Sequence, residues 1–253
     1  MTSFFTTILL QPIVNLLVWL YQTIPGQDVG IAIIALTVIV KAILYPFTHV
    51  QIKQQRALQE IQPKIDEIRS RLKDDKEGQA RELVALYAKE KVNPMASCLP
   101  LLIQLPVFIA LYRALTIGLT SKGLALLYAF VPNPGHIDTR FFQLVDLSKP
   151  SYVLAIAAAA VQFVQTKQIL KPPAATVQAP PPEAQGSPGA KDESMATIMN
   201  KQMTYMMPIM TIVIGVTLPG GLTLYWLTMS ALTVLQQWLV LKKTPPRMSA
   251  QLS

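Results

Sequence analysis

The chain has 253 residues, of which 51% are hydrophobic and only 14% charged, and its net charge is +8. Soluble domains carry about 25% charged residues. Here Leu, Ile, Val, Ala and Met gather in blocks of roughly 18–22 residues, the length a helix needs to cross ~30 Å of hydrocarbon, which excludes an ordinary soluble domain. The single cysteine, Cys98, excludes an internal disulfide framework, and His49 and His136, the only histidines, argue strongly against a multi-histidine metal site within one chain.

Residues 1–28 hold an apolar but interrupted stretch, 4–22, in which Thr7, Gln11, Asn15 and Gln22 share one helical face. Such a helix more often lies along a membrane interface than spans it, and the interfacial reading is preferred here. No Lys or Arg opens the chain, which argues against a cleaved signal peptide. Span 1 is predicted at 29–50. Residues 51–95 are soluble in character. Leu58, Ile61, Ile65, Ile68 and Leu72 recur at helical spacing, KDDKEG breaks the helix, and Leu83, Leu86 and Tyr87 mark a second one. The pattern predicts an αα-hairpin, with Pro63 kinking the first helix or starting a new one. It reads either as a solvated connector or as a docking element, and its length favours the second.

Span 2 is predicted at 96–118, with Pro100 and Pro106 inside it, followed by a loop at 119–150. In that loop Leu124, Leu126, Leu127, Phe130, Phe141 and Phe142 suggest contact with the membrane surface. Span 3 is predicted at 151–170, a flexible Pro- and Ala-rich linker at 171–202, a short span 4 at 203–218, and span 5 at 222–241 after the turn Pro219-Gly220-Gly221. A basic tail, 242–253, ends the chain. Lys and Arg concentrate in 51–93, in 171–201 and in the tail, so the positive-inside rule places these segments and the C-terminus in the cytoplasm. The basic charge thus sets topology and meets anionic lipid, and no specific nucleic-acid motif accompanies it. The three basic residues of the tail, Lys242, Lys243 and Arg247, fit anionic lipid or ribosomal RNA.

The most informative residue is Lys41, inside IIALTVIVKAILYP. A charge at the centre of a span costs about 2.5–3.5 kcal/mol and faces a wet cavity or a partner. Snorkelling toward the cytoplasmic side competes. Pairing with an acid inside the membrane is weak, since no predicted span contains Asp or Glu. Thr37, Lys41, Tyr45 and Thr48 lie within about 80° of one another on a helix. On span 5, Thr223, Trp226, Ser230, Thr233 and Gln237 share a face. Span 3 offers Gln162 and Gln165, and span 2 offers Gln104. Any one such stripe fits ordinary interhelical hydrogen bonding, whereas four with an unpaired lysine point to a shared hydrated cavity. Met203, Met206 and Met210 on span 4 suit either an adaptable apolar surface or packing within the bundle.

The stretches VGIAIIALTVIVKAILYPFTHVQIKQQRALQEIQPKI, LVALYAKEKVNPMASCLPLLIQLPVFIALYRAL and PGGLTLYWLTMSALTVLQQWL resemble a bacterial YidC-type membrane insertase, a family with mitochondrial Oxa and chloroplast Alb relatives. The resemblance implies an all-α integral membrane protein of the bacterial inner membrane, with five transmembrane helices around a hydrophilic groove. An interfacial N-terminal helix and a mobile cytoplasmic hairpin complete it. It implies that Lys41 stands where the family usually carries the groove arginine, with Gln165 and Trp226 at other groove positions and Gln104 and Thr37 as additions. Nascent membrane proteins and the bilayer are the implied partners, with the ribosome and the Sec translocon as further candidates. No cofactor, metal, ATP or small-molecule substrate is implied. Lysine for arginine keeps the charge and loses the bidentate fork. Beside longer relatives with a leading anchor span and an outer domain, the chain reads as a trimmed core or a short version.

Two rival classes are a transporter or channel, which would usually show internal repeats, and a membrane enzyme, which needs a nucleophile–base pair or paired carboxylates. The predicted spans supply neither.

Overall fold

The computed structural model describes residues 2–93, 99–118, 125–170 and 195–243. Ten α-helices and one two-stranded hairpin occupy them. The first are α1 (Thr2–Phe5), a π-helical turn Thr6–Leu10, and α2 (Gln11–Thr23). Next come α3 (Val29–Ile43), α4 (Tyr45–Glu60), α5 (Gln62–Arg71) and α6 (Lys76–Glu90). Then follow α7 (Leu99–Arg113), β1 (Arg140–Phe141) and β2 (Val145–Asp146). The chain closes with α8 (Tyr152–Leu170), α9 (Met195–Gly215) and α10 (Gly220–Lys243).

Local chemistry sets the boundaries. Asp28 caps α3 by accepting from Gly30 N at 2.7 Å and Ile31 N at 3.0 Å. Pro46 sits in the first turn of α4, where its missing N–H costs nothing. The chain therefore bends by 69° between α3 and α4. The single span expected at 29–50 is thus two helices meeting at Leu44, and α4 runs into the region expected as hairpin. Pro63 likewise lies in the first turn of α5. Asp75 caps α6, and Lys91 ends it in the left-handed region at φ 54°.

Of the described helices, α10 is long and apolar enough over Gly220–Lys242 to cross a membrane. The bent pair α3–α4 passes only if counted as one span, and Thr204–Gly215 of α9 is a shorter apolar stretch. Fewer spans therefore stand out than the five expected. The reasons are local. Gln162, Gln165, Lys167 and Gln168 dilute the apolar character of α8, and the bend at Leu44 shortens α3. The helix α9 starts at Met195 rather than 203. Residues 171–194 of the expected linker and 244–253 of the tail lie outside the described residues, as do Cys98 and Leu124.

The helices α8 and α10 pack most closely, α9 lies against α8, and α3 lies against α10 and α2. Small residues allow this approach: Ala155, Ala158 and Ala159 of α8 are buried, and a Cβ on Gly215 would sit 3.0 Å from that of Ala155. At one end of the bundle, α5 and α6 form the hairpin. Ala57, Ile61, Ile65 and Val92 are its buried core, with Leu58, Leu83, Leu86 and Tyr87 packed against them. Lys64 pairs with Glu90 at 2.6 Å, and Arg71 pairs with Glu82.

Residues 125–150 cap the opposite end. The polar face of α2 holds this loop: Gln11 Nε2 and Asn15 Nδ2 donate to Leu126 O, Asn15 Oδ1 accepts from Tyr128 N, and Gln22 Nε2 donates to Pro132 O. The α1–α2 segment has one end at α7, where the Arg113 guanidinium lies 5.8 Å from the centre of the Phe5 ring, and the other at the start of α3. It therefore lies across the capped end. Asp28 Oδ2 accepts from Phe142 N at 2.5 Å, and the Phe141 ring covers Gly30, where a Cβ would come within 2.1 Å of it. Gly220 N and Gly221 N donate to Lys149 O and Leu147 O at 2.8 and 2.9 Å, joining the loop to the start of α10.

Asp146 organises the loop's hairpin. It accepts from Ser148 Oγ at 2.6 Å, Ser148 N at 3.0 Å and Thr139 Oγ1 at 3.0 Å, and pairs with Lys149 at 3.3 Å. The Ser148 hydroxyl most of all, against an opposing effect of burial, brings its carboxyl from 3.8 down to about 2. A depressed pKa means that the stabilisation is complete above pH 3.8 and is lost as pH falls toward 2. Hydrogen exchange of the Leu147 and Ser148 amides, corrected for intrinsic rate, should therefore keep its protection at pH 4 and lose it near pH 2. In Asp146→Asn the protection should be weaker and independent of pH over this range. Equal protection of the native loop at pH 5 and pH 2 would contradict this role.

Candidate functional site: a buried lysine between α3 and α10

Lys41 lies in the last turn of α3 and is 8% exposed. Its Nζ donates to Thr233 Oγ1 of α10 at 2.9 Å, and that hydroxyl donates in turn to Met229 O at 2.7 Å. The lysine's partner is thus a neutral hydroxyl. None of α3, α7, α8, α9 and α10 contains Asp or Glu. One turn earlier, Thr37 is fully buried and donates to Ile33 O at 2.6 Å. Toward the hairpin end, Thr48 of α4 lies 2.8 Å from Gln236 Nε2 of α10. Ser230 and Gln237 are buried on the face of α10 that carries Thr233. Among the described residues Gln237 Oε1, Gln51 Nε2 and Gln168 Oε1 are buried without a hydrogen-bond partner, and buried polar atoms of this kind call for water or a bound polar group.

The structure thus gathers Lys41, Thr37, Ser230 and Thr233 along the α3–α10 seam. Other expected groove residues lie elsewhere. Gln104 bonds the hydroxyl of Tyr225, and Trp226 meets Phe108 edge-on at 6.3 Å, both between α7 and α10. Gln162 bonds the Thr211 hydroxyl between α8 and α9. Gln165 is half-buried on α8. Thr223 is fully buried and donates to Gly215 O at 3.3 Å across the α9–α10 turn. Met206 and Met210 are exposed on α9, and the side chain of Met203 lies outside the described residues. Tyr225, Thr211 and Gln236 are partners that the stripes alone do not reveal, since each pairing is made between helices.

Polar links of this type contribute about 0.6 kcal/mol on average and rarely more than about 1.7 kcal/mol inside membranes. Thr211→Val should accordingly lower stability by about 1 kcal/mol, read as a small shift of the thermal midpoint in detergent. A loss several times larger would mean that the α8–α9 contact depends on this link.

The outward faces of the helices are apolar. Ile156 and Val164 of α8, Tyr205, Ile209 and Val213 of α9, and Leu235 and Trp238 of α10 are all exposed. Apolar faces outward with a charge turned inward are the arrangement of an α-helical membrane protein. Residues 19–247 match the model of the family described as 60Kd inner membrane protein. The chain belongs to that family. It is 37% identical over 211 residues to a protein named membrane protein insertase YidC of Actinobacillus pleuropneumoniae serotype 3, covering 83% of this chain and 33% of that one. A protein of the same name from Fusobacterium nucleatum is 33% identical over 214 residues, covering 85% of this chain and 86% of that one. A crystal structure described as an active YidC insertase with its first transmembrane domain resolved shares the fold. Its TM-score is 0.55 at 24% identity, over 92% of this chain and 45% of that one. The chain spans about a third of the length of the Actinobacillus relative and most of the Fusobacterium one.

Proposed function

We propose that this chain inserts proteins into the bacterial inner membrane. The observation that carries the reading is Lys41: a buried amine whose neighbour is a neutral hydroxyl, on helices that supply no acid. Such a charge attracts a carboxylate brought from outside. In a partly dry site at effective ε ≈ 20, two unit charges 4 Å apart attract by about 4 kcal/mol, against about 1 kcal/mol in water.

In this reading α3, α7, α8, α9 and α10 cross the bilayer, α1–α2 lies along its outer surface, and the hairpin and C-terminus face the cytoplasm. A nascent membrane protein enters from the hairpin end. Its polar outer tail occupies the polar seam beside Lys41, Thr37, Ser230 and Thr233. The seam shortens the apolar distance that the tail must cross. The substrate's apolar helix slides along the exposed faces of α8, α9 and α10, where Met206 and Met210 offer adaptable contacts, and passes into lipid. Burial of that helix supplies the energy, so neither nucleotide nor metal enters the mechanism. The hairpin, which Pro63 starts and which Leu58, Ile61, Ile65, Leu83 and Tyr87 hold together from within, serves as a docking element for substrate, ribosome or translocon.

Cross-linking tests the path. In a Cys98→Ser background, Ser230→Cys should form an adduct with a single cysteine placed in a stalled nascent membrane segment. It should form none with a stalled soluble segment of equal length. Absence of the adduct with the membrane segment would overturn the assignment of the seam.

A further inference from the structure

The β1–β2 hairpin carries an apolar tip that is exposed among the described residues. Phe142 is 62% exposed and Leu144 is 86% exposed. Phe142 and Gln143 both adopt positive φ, at 47° and 58°, a costly conformation for residues with side chains. Two anchors fix the tip: Phe142 N bonds Asp28, the cap of α3, and Leu147 O accepts from Gly221 N at the start of α10. The tip is therefore tied directly to the end of the helix that is long and apolar enough to cross a membrane.

That attachment fixes its depth. Three residues of extended chain reach at most about 10 Å, so Leu144 stays near the end of α10. The interfacial layer beyond the hydrocarbon is about 5–8 Å thick on each side. Other apolar side chains share this end: Tyr152 and Val153 in the first turn of α8, Trp19 of α2, and Phe130, which is 78% exposed. Aromatic residues at this level form the belts that anchor membrane proteins. The basic residues beside the tip are matched by acids, Arg140 by Asp138 and Lys149 by Asp146, which leaves the tip apolar without excess charge.

We infer that the Phe142–Leu144 tip is a lipid anchor that dips into the outer leaflet beside α3 and α10. The inference rests on the membrane placement proposed above and is independent of insertion activity. The anchor holds the cap over the seam, because the residues that present the tip also bind the cap to α3 and α10.

The test uses the full chain in phospholipid vesicles. Single-cysteine variants in a Cys98→Ser background carry an environment-sensitive fluorophore at Leu144→Cys. Ala85→Cys on the exposed face of α6 serves as the aqueous reference, and Val213→Cys on the apolar face of α9 as the reference within the bilayer. The label at 144 should emit to the blue of that at 85. It should also be quenched several-fold more by lipids spin-labelled near the headgroup, with little change between low and high salt. Emission and quenching at 144 equal to those at 85, with the label at 213 quenched, would overturn the anchor and favour a protein partner for the tip. If neither 144 nor 213 is quenched, the membrane placement fails together with the anchor. Quenching at 144 in protein that does not insert substrates would leave the anchor standing and reject the functional reading instead.

Discussion

Lys41→Ala should reduce insertion of a substrate with an acidic outer tail by about ten-fold or more, while the protein stays folded. The two effects have separate origins. The lost attraction between the amine and a substrate carboxylate is worth up to about 4 kcal/mol at the effective dielectric of a partly wet site, and a net 1.4 kcal/mol already makes a factor of ten. Within the resting protein the same amine donates to the neutral Thr233 hydroxyl. Removing it takes away one hydrogen bond and also the cost of a buried charge, so the thermal midpoint should be unchanged or raised. Lys41→Arg should keep most of the activity, since the charge remains. A substrate with a neutral tail should lose much less than the acidic one. Equal insertion of the acidic substrate by native protein and Lys41→Ala would reduce Lys41 to an anchor at the cytoplasmic interface.

The largest loss of stability is expected at Asp28. One carboxylate accepts three backbone N–H groups, from Gly30, Ile31 and Phe142. An N-cap is worth about 1 kcal/mol, and a hydrogen bond to a charged acceptor about 1.5–3 kcal/mol. Asp28→Ala should therefore cost about 2–3 kcal/mol and free the cap from α3. Asp28→Asn keeps a capping oxygen for α3 but turns an amide donor toward Phe142 N, so it should fall between the two. Thermal unfolding in detergent reads the first effect, and limited proteolysis within 138–149 reads the second. A midpoint for Asp28→Ala within one degree of native would mean that the carboxylate does not hold the cap.

Much of this architecture follows from patterns that a single chain displays. The αα-hairpin is legible because Leu58, Ile61 and Ile65 recur at helical spacing, and of the two readings open for Pro63, a kink or a new helix, the structure has the second. The break at Leu44 is less so: Phe47 and Val50 continue the apolar run past Pro46, which masks the end of α3. Asn200, Lys201 and Gln202 read as linker, yet they lie on α9, because helix continuity there is set by the apolar turns that follow. The stripe of Gln11, Asn15 and Gln22 suggests an interfacial face. Its partners are carbonyls and an amide of a loop more than a hundred residues away, which no local pattern encodes. The β-hairpin is two residues per strand, too short for a period-two signal.

The candidate site divides in the same way. Lys41 stands out in sequence because a charge inside an apolar block has few bland explanations. Its link to Thr233 follows from two stripes that face each other. Gln162 and Gln104 were legible as polar residues among apolar ones, but their partners Thr211 and Tyr225 depend on how the helices are arranged in space.

The measurement that tests the central claim most directly is insertion into phospholipid vesicles containing only the purified full chain. The substrate is a single-span protein with a short acidic outer tail, scored by protection of that tail from external protease. The account predicts protection several-fold above that of empty vesicles, and a return to the empty-vesicle level with Lys41→Ala. Protection no greater than in empty vesicles, with the chain folded and embedded, would contradict the claim that this protein inserts others.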